Sequence, residues 1–496
     1  MRELLLEFSY FELRGALVED GELVELSIES VPEEPLRPGD IFWARVIKLM
    51  PELRGAMVDL GPARGFLQAR NFPECLTMLS VPGPSVEQCS SYVPNRLREG
   101  LELPVQVRKL PRDEKAALVT SRIVIDGFFL SFRPGWPEVS WPWQVPRDVR
   151  ERIAATTRSI LGKHDGFAAH LRSIFASPTE LLAELERLRQ TWLMIAWRLK
   201  ESANPGLVYR TSDPFTRILQ EIAHPELDAV YVDGPESLCE RVKAAWSQLT
   251  LERPVPMLQY SGKEALFVER RLEQQIEQAL GVEVPLPNGG QLLFETTAGG
   301  TIVDVNSPGL GQALIRDAAN PGIDHRMNVN LQAARAIATQ VRLRGCAGSI
   351  VVDLINTFRD KERRRFARSI SECFRNDPWV RALYLHDHGA LLHIQREYHR
   401  PSLAELLLDP CPHCGAANRI PTLRTRARNL LRLAMQKLRL APKAAKIVAD
   451  VPAELLNYFH QNEPCLVSGF ATATGIPLEL HLAQQCEPQI RIIEAN

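Results

Sequence analysis

Two short apolar segments each carry an aspartate, and placing a carboxylate in such a segment strongly constrains the fold. Residues 300–307 contain Asp304 and Asn306, and residues 348–355 contain Asp353. Side chains alternate along a β-strand, so Asp304 and Asn306 are predicted to share one face. Two carboxylates and an amide are oxygen ligands of the kind that Mg²⁺ prefers. The alternative is that the aspartates cap the turns after each strand, and spacing alone slightly favours that alternative.

Further segments flank these strands in an order and spacing that resemble the catalytic core of the ribonuclease E/G family. These segments are VPLPNGG at 284–290, NLQAA at 330–334 and QVRLR at 340–344. A weaker similarity to the family extends from residues 3–6 and Arg14 to the last strand. The chain resembles the short, ribonuclease G-like form of the family, which has no long C-terminal tail. The resemblance implies that Asp304 and Asp353 hold a catalytic Mg²⁺ and that Asn306 orients the attacking water.

Length, cysteine content and hydropathy are compatible with a large intracellular enzyme. A chain of 496 residues with 45% hydrophobic residues can bury several cores and predicts about three or more domains. Nine scattered cysteines favour a reducing, cytoplasmic location over a disulfide framework. The first residues show no signal peptide, and no segment is predicted to span a membrane. A net charge of −1 does not exclude nucleic-acid binding, because phosphates respond to local charge.

We predict a multidomain α/β protein, and the resemblance implies the order of its parts. An RNase H-like subdomain is interrupted by an inserted OB-fold barrel of the S1 type and a sensor-like α+β region. A DNase I-like catalytic subdomain, a zinc link and a small C-terminal α/β domain follow. The expected boundaries are 1–36 and 205–282 for the RNase H-like subdomain, 37–125 for the OB-fold, 126–204 for the sensor-like region, 283–403 for the catalytic subdomain, 404–420 for the zinc link and 421–496 for the C-terminal domain.

Five short β-type runs with Gly and Pro turns lie between residues 41 and 120, a pattern typical of an OB barrel. OB-folds stack the bases of single strands on aromatic rings beside a basic groove. Phe66, Lys115 and Met57 are therefore RNA-binding candidates, although the similar barrel of the family usually carries an aromatic where Met57 stands. The alternative is that Phe66 belongs to the barrel core.

A basic segment near the C-terminus predicts an amphipathic helix. Residues 419–446 contain nine Lys or Arg residues and no Asp or Glu. Arg424, Arg428 and Arg432 recur at helical spacing, and because the segment offers no acidic partner we expect them to contact RNA phosphates. A second basic cluster at 359–368 also contains acids, and it is equally compatible with a solvated helix face.

The sensor-like region departs from the family pattern. The family grips the 5′-monophosphate of RNA with an adjacent Arg and Thr, and this chain has His170 and Leu171 at those positions. Because a leucine side chain cannot hydrogen-bond a phosphate, we expect these sensor positions to be non-functional. Arg172 is the one neighbouring residue that could substitute. Ser177 and Glu180 then form a capping-box pattern that predicts the start of a long helix.

A histidine-rich stretch contains the second departure. The family carries an Arg near the scissile phosphate where this chain has His388, and a neutral imidazole is a weaker phosphate clamp than a guanidinium. His388 is kept as a catalytic candidate on that resemblance. The alternative is that His386, His388 and His393 are ordinary strand or loop histidines, and we rank a transition-metal cluster below both.

Cys411 and Cys414 form a Cys-x-x-Cys pair that predicts a zinc site. A structural zinc needs four ligands, and the chain has no second such pair. Cys465, Cys486 or His413 could complete the site within the chain, or another subunit could do so. The resemblance implies that two protomers share one Zn²⁺, which predicts a homodimer or a tetramer. A redox role ranks last, because the pair does not open a thioredoxin-like unit.

These residues, taken with the family resemblance, predict a Mg²⁺-dependent endoribonuclease that cleaves single-stranded RNA, and the resemblance implies a role in the processing and decay of ribosomal and messenger RNA. The products would carry 5′-phosphate and 3′-hydroxyl ends. Two alternatives are an RNA-binding paralogue with weak or lost cleavage and a zinc-linked scaffold in an RNA-processing assembly. The trio Asp304, Asn306 and Asp353 favours the enzyme, since a non-catalytic protein has little physical reason to keep two unpaired carboxylates in an RNA groove.

Overall fold

The structure of the chain is a computed structural model. The structure describes residues 1–30, 36–68, 97–111, 116–202, 204–211, 213–249, 251–287, 289–297, 299–307, 325–355, 360–386, 391–411, 415–441, 444–483 and 488–494. Two compact units are present. The first comprises Met1–Pro32, Glu226–Cys239 and Val255–Asn496, and the second comprises Glu33–Pro225 and Glu240–Pro254.

The strands of the described residues are, in chain order, β1 (Arg2–Phe8), β2 (Glu12–Glu19), β3 (Glu22–Ser30), β4 (Ile41–Met50), β5 (Gly55–Asp59), β6 (Arg64–Gln68), β7 (Glu102–Lys109), β8 (Ala117–Thr120), β9 (Ile125–Asp126), β10 (Leu130–Arg133), β11 (Val139–Ser140), β12 (Gly166–Ala169), β13 (Gly206–Tyr209), β14 (Ala229–Asp233), β15 (Met257–Tyr260), β16 (Glu283–Pro285), β17 (Gln291–Thr297), β18 (Gly300–Asn306), β19 (Gly348–Asp353), β20 (Val380–Leu385), β21 (Leu391–Arg396), β22 (Leu408–Cys411), β23 (Gly415–Pro421), β24 (Ala444–Val451), β25 (Leu478–Leu482) and β26 (Gln489–Glu494).

The helices are α1 (Arg147–Thr157), α2 (Pro178–Glu201), α3 (Pro214–Ile222), α4 (Glu236–Ser247), α5 (Leu266–Glu269), α6 (Leu272–Leu280), α7 (His325–Arg344), α8 (Asp360–Cys373), α9 (Leu403–Leu407), α10 (Leu423–Leu440), α11 (Ala453–Gln461) and α12 (Cys465–Thr474). Short 3₁₀ turns cover Pro51–Leu53 and Leu171–Ile174. No helix in the described parts of the chain is long and apolar enough to cross a membrane.

A closed barrel forms the first part of the second unit. The strand order is β4-β5-β6-β8-β7, and β4 also pairs with β7, which closes the barrel with five strands. β13 adds to the outer edge of β4. Alternating apolar residues such as Val46, Val58 and Val119 fill the interior. The predicted five-stranded, OB-like barrel is confirmed.

The second unit continues with a four-stranded sheet of order β11-β12-β10-β9 and the long helix α2. Ser177 caps α2 with Glu180 in the capping box that the sequence predicts. Glu184 of this helix is fully buried and accepts the backbone N–H groups of Phe128, Phe129 and Leu130 at 2.5–2.8 Å. Burial raises the pKa of Glu184. The carboxylate thereby fixes the start of β10 against the helix.

The first unit contains a five-stranded sheet built from two distant stretches of sequence. Its order is β15-β14-β1-β2-β3, and Glu3 of β1 lies opposite Ala229 of β14 in a parallel pair. The N-terminal strands therefore complete a sheet whose other members follow more than 200 residues later. Helices α5 and α6 pack on it through Phe267, Leu272 and Ile276.

A six-stranded mixed sheet of order β16-β17-β18-β19-β21-β20 follows in the same unit. β18 and β19 run parallel and are connected through α7. The apolar residues of α7 and α8, among them Ile337 and Phe366, cover one face of this sheet and bury Val303 and Val352. The opposite face carries exposed side chains, including Ile302 at 47% and Tyr384 at 58%. We call it the open face.

The C-terminal part of the first unit consists of a hairpin, a basic helix and a small α/β layer. β22 and β23 form the hairpin, and β25-β24-β26 form a three-stranded sheet. Helices α10, α11 and α12 pack on that sheet and form a separate hydrophobic core with it. This core includes Leu431, Phe459 and Phe470.

Candidate active site

Asp304 and Asp353 lie directly opposite each other on the parallel strands β18 and β19. Asp304 is half-buried and Asp353 is exposed. Neighbouring strands are about 4.8 Å apart, so the two carboxylates stand side by side. Asn306 follows on the same face of β18, opposite Gln291 of β17. The structure thus brings the three predicted residues together at the carboxyl ends of two parallel strands.

Alternation of residue types places these side chains on the open face. Val303 and Val305 of β18 and Val352 of β19 are buried against the helices, which turns Asp304 and Asp353 outward. Gly300 lets the two strands approach closely: its φ is 151°, and a Cβ there would lie 2.2 Å from the backbone oxygen of Ser349. Among the described residues, neither carboxylate has an ion-pair or hydrogen-bond partner.

The chemistry of this pair fits a Mg²⁺ ion. Mg²⁺ is held by one or two carboxylates, with water and phosphate oxygens in the remaining positions. Within the described residues no group of three or more His, Cys, Asp or Glu side chains is arranged to hold a metal. A site that depends on several protein ligands is therefore not formed there, whereas two adjacent hard-oxygen ligands suffice for Mg²⁺.

Asn330 supports the site from the buried side of the sheet. Its side chain is fully buried on α7, and its Nδ2 donates to the backbone oxygen of Ile355 at 2.8 Å. The backbone N–H of Ile355 donates in return to Asn330 Oδ1 at 3.1 Å. These bonds fix the chain two residues after Asp353. In the sequence, Asn330 stands out only as the first residue of the family-like segment 330–334. An amide on an apolar helix face is nevertheless a signal of a buried polar contact.

The histidine-rich stretch is described only in part. His388 lies outside the described residues, so its catalytic assignment stays a prediction. His386 is exposed, and its backbone N–H donates to the oxygen of Leu391 at 3.0 Å. His393 lies on β21 with Nε2 2.8 Å from the hydroxyl of Ser349.

The sensor positions are occupied by groups that already have partners. The ring of His170 lies between the Phe128 backbone oxygen, 3.0 Å from Nδ1, and the Ser131 hydroxyl, 2.7 Å from Nε2. Burial and the neighbouring Arg172 guanidinium lower the pKa of His170, so the ring is neutral at pH 7. Arg172 lies over the ring of Phe128 and donates to the backbone oxygen of Glu221 at 2.9 Å. Leu171 is half-buried.

Two of the three barrel candidates, Met57 and Phe66, lie together on its outer surface. Met57 of β5 and Phe66 of β6 are directly opposite each other and are both half-buried, whereas their neighbours Ala56 and Leu67 are fully buried. Phe66 is therefore outside the barrel core, and its ring lies over Gly55. Lys115 lies outside the described residues. An RNA contact at these positions remains a prediction.

The basic helix α10 has acidic partners that its own segment lacks. Arg428 is only 7% exposed and pairs with Glu12 at 3.5 Å and Glu463 at 3.8 Å. Arg432 also pairs with Glu12, and Arg424 pairs with Glu463 at 3.4 Å. Arg426, Arg439 and Lys446 likewise pair with carboxylates from other segments. The expectation that Arg424, Arg428 and Arg432 face phosphate rested on absent acids, and the tertiary structure removes that reason.

Only one member of the predicted zinc pair is described. Cys411 ends β22 and is half-buried, whereas Cys414, His413 and Cys486 lie outside the described residues. Cys465 is exposed at the start of α12. The zinc site and the source of its remaining ligands therefore stay predictions.

Comparison with known proteins identifies the family. The model of the ribonuclease E/G family matches residues 143–398, which is more than half of the chain and includes both aspartates. The chain belongs to the ribonuclease E/G family. Its membership confirms the resemblance and the enzyme class predicted from the sequence, an endoribonuclease.

Curated relatives of the family align along most of the chain. Ribonuclease G of Escherichia coli K12 is 27% identical over 436 residues, which covers 87% of this chain and 86% of that protein. Ribonuclease G of Haemophilus influenzae is 27% identical over 458 residues, or 91% of this chain and 90% of that protein. Ribonuclease E of H. influenzae is 28% identical over 90% of this chain, which spans about half, 47%, of that longer protein.

Proposed function

We propose that this member of the ribonuclease E/G family cleaves single-stranded RNA with Mg²⁺ held by Asp304 and Asp353, and leaves 5′-phosphate and 3′-hydroxyl ends. The observation that carries the proposal is the register of the two strands, which sets both carboxylates side by side on an open face. Ribosomal and messenger RNAs are the substrates that the family resemblance suggests.

Each residue of the trio has a task that follows from its position. Asp304 and Asp353 present adjacent oxygens to one side of the sheet, so they would hold the ion and with it a phosphate. A bound Mg²⁺ supplies Lewis-acid polarisation of the scissile phosphate and offsets the charge that develops there. Asn306 lies two residues beyond Asp304 on the same face, where its amide can orient the attacking water.

Rigid support for these groups comes from the opposite side of the sheet. The α7 and α8 core buries Val303 and Val352, the residues immediately before the two aspartates. Asn330 holds the backbone at Ile355 through two hydrogen bonds. Positioning of this kind keeps two like charges together that would otherwise repel each other, and it lowers the cost of arranging the metal ligands.

A preference for single strands is supported by the barrel. Met57 and Phe66 form an outward-facing pair on a five-stranded OB-like barrel, and such barrels stack unpaired bases. A duplex keeps its bases stacked on each other, so it offers no ring to this surface.

Zinc would link two chains under this proposal. Cys411 and Cys414 supply two thiolates, half of a tetrahedral site, and a second chain would supply the other two. The spacing of the pair and the family resemblance support this reading.

A cleavage assay tests the proposed function. A short single-stranded RNA with a fluorophore and a quencher at its ends is incubated with the protein in Mg²⁺, in Ca²⁺ and in excess chelator, and the product ends are identified by ligation and by phosphatase treatment. We expect cleavage in Mg²⁺, none in chelator, and 5′-phosphate products. Tight RNA binding without cleavage in Mg²⁺ would instead indicate the RNA-binding paralogue.

A further inference from the structure

Two rows of side chains cross the open face of the catalytic sheet. One row contains Asp304 and Asp353, and it continues with Leu391 on β21. The adjacent row runs across four strands through Ile302, Val351, His393 and Tyr384, each directly opposite the next. The rows are two residues apart along the strands, which is about 7 Å.

The second row is apolar and aromatic, although it is open to solvent. Tyr384 is 58% exposed and Ile302 is 47% exposed, and Leu391 beside Asp353 is 41% exposed. Exposed apolar side chains that are contiguous on a face, and not scattered singly, usually mark a binding surface. Here the surface borders the carboxylate pair directly.

The two rings of this row are held in place. His393 Nε2 lies 2.8 Å from the hydroxyl of Ser349, on the neighbouring strand β19. The centroids of the Tyr384 and His393 rings are 6.2 Å apart, and the ring planes are tilted by 31°. The rings are tilted and not stacked on each other, and because Tyr384 is 58% exposed its ring is accessible to a third planar group.

We propose that Tyr384 and His393 form a stacking platform for an RNA base next to the scissile phosphate. The proposal rests on the proposed function, because that function places the phosphate at Asp304 and Asp353. A nucleotide bound there has its neighbouring base within reach of a row about 7 Å away. Bases of any type have a flat π-face, so the platform would bind unpaired nucleotides without strong sequence preference.

Base fluorescence tests the platform independently of cleavage. A ten-nucleotide single-stranded RNA with one mapped cleavage site is made with 2-aminopurine at each position in turn, and its fluorescence is measured on binding to Asp304→Asn protein, so that the RNA stays intact. We expect quenching at one or two positions beside the cleaved bond. Adding Tyr384→Ala should abolish that quenching, and Tyr384→Phe should preserve it.

Matched variants separate stacking from apolar contact and from folding. Tyr384→Leu keeps an apolar side chain without a ring, and it should lose the quenching as Tyr384→Ala does. In the otherwise wild-type enzyme, Tyr384→Ala should raise KM about tenfold and leave kcat nearly unchanged, as expected when one stacked base is lost. Because Tyr384 is exposed, the Tm of these variants should stay at the wild-type value. Ser349→Ala, which releases the His393 ring, should weaken the quenching in part.

Equal quenching in Tyr384→Ala and Tyr384→Phe would overturn the platform while leaving the metal site intact. Unchanged quenching together with loss of dimers on light scattering would overturn it too, and would assign this face to a second copy of the chain. Wild-type cleavage by Asp304→Asn would instead contradict the proposed function, so the two failures are distinguishable.

Discussion

Asn330 of α7 and Ile355 are joined by two hydrogen bonds, between the side-chain amide of Asn330 and the backbone N–H and C=O of Ile355. The amide is fully buried in an otherwise apolar helix face, and Ile355 follows Asp353 by two residues. A buried polar group satisfied in this way fixes the direction of the chain as it leaves the strand. The position of one metal-ligand candidate is therefore set by a residue that cannot itself contact the ion.

Removing this amide should affect both stability and turnover. Asn330→Ala removes both hydrogen bonds to the backbone of Ile355, and we expect a loss of about 1–3 kcal/mol in the free energy of unfolding, measured by urea titration. The loosened segment should lower kcat more than it changes KM. Thr339→Ala on the same helix is the control, because its hydroxyl only bonds the preceding turn at 3.4 Å, and it should match the wild type. An Asn330→Ala enzyme with normal kcat would show that the bonds do not position Asp353.

Arg428 should matter for folding and not for RNA affinity. Arg428→Gln leaves the buried carboxylate of Glu12 with Arg432 and Arg14 as its remaining cations, so we expect destabilisation below the about 3–5 kcal/mol that leaving a buried charge unpaired costs. Arg424→Gln is the matched control, since its side chain is 46% exposed and an exposed pair contributes about 1 kcal/mol at most. Urea titration gives both values. If Arg428→Gln were as stable as wild type and bound RNA with a flatter salt dependence, phosphate contact would be the better assignment.

Strand-level features of the fold could be predicted from the sequence because they depend on neighbouring residues. Alternation around Asp304 assigned it and Asn306 to one face, and the capping box at Ser177 marked the start of α2. The closed barrel follows from five short runs with Gly and Pro turns. The pairing of β1 with β14 could not be predicted from local pattern, because it joins residues more than 200 positions apart.

The acidic partners of the basic helix could not be predicted from its own segment. The acid-free segment around Arg428 suggested phosphate contact, yet Glu12 and Glu463 approach it from distant parts of the chain. Charge counting within one segment cannot detect such pairs. The row that contains Tyr384 and His393 could not be predicted from the sequence either, because its residues become neighbours only through the register of four strands. Sequence patterns indicate which face a residue occupies, whereas its neighbours on that face depend on tertiary pairing.

The 5′ end of the RNA should have little influence on the cleavage rate. The ring nitrogens of His170 lie against Phe128 and Ser131, its lowered pKa keeps the ring neutral at pH 7, and Leu171 cannot hydrogen-bond. We expect similar kcat/KM values for 5′-monophosphorylated and 5′-hydroxyl forms of one RNA. Arg172→Gln should leave their ratio unchanged. A large preference for the monophosphate that Arg172→Gln removes would show that this arginine has rebuilt the sensor.

The zinc content per chain should show whether the two ligands that join Cys411 and Cys414 come from the same chain or from a second one. A shared site predicts about one zinc per two chains, and removal of the metal should then dissociate dimers without unfolding the separate cores. Metal analysis and light scattering on one sample measure both quantities. Cys465→Ser should change neither. About one zinc per chain in a monomer would assign the remaining ligands to the same chain.

Conversion of each carboxylate of the pair to an amide tests the central claim most directly. Asp304→Asn and Asp353→Asn keep the shape of the side chain and remove the charge that the ion requires, and Glu295→Gln makes the same change at an exposed position on the neighbouring strand β17. Rates of Mg²⁺-dependent cleavage and RNA affinities are measured for all three variants. We predict a loss of about a thousandfold or more in rate for the two aspartate variants, with nearly unchanged affinity, and a near-normal rate for Glu295→Gln. Wild-type cleavage by either aspartate variant would contradict the account.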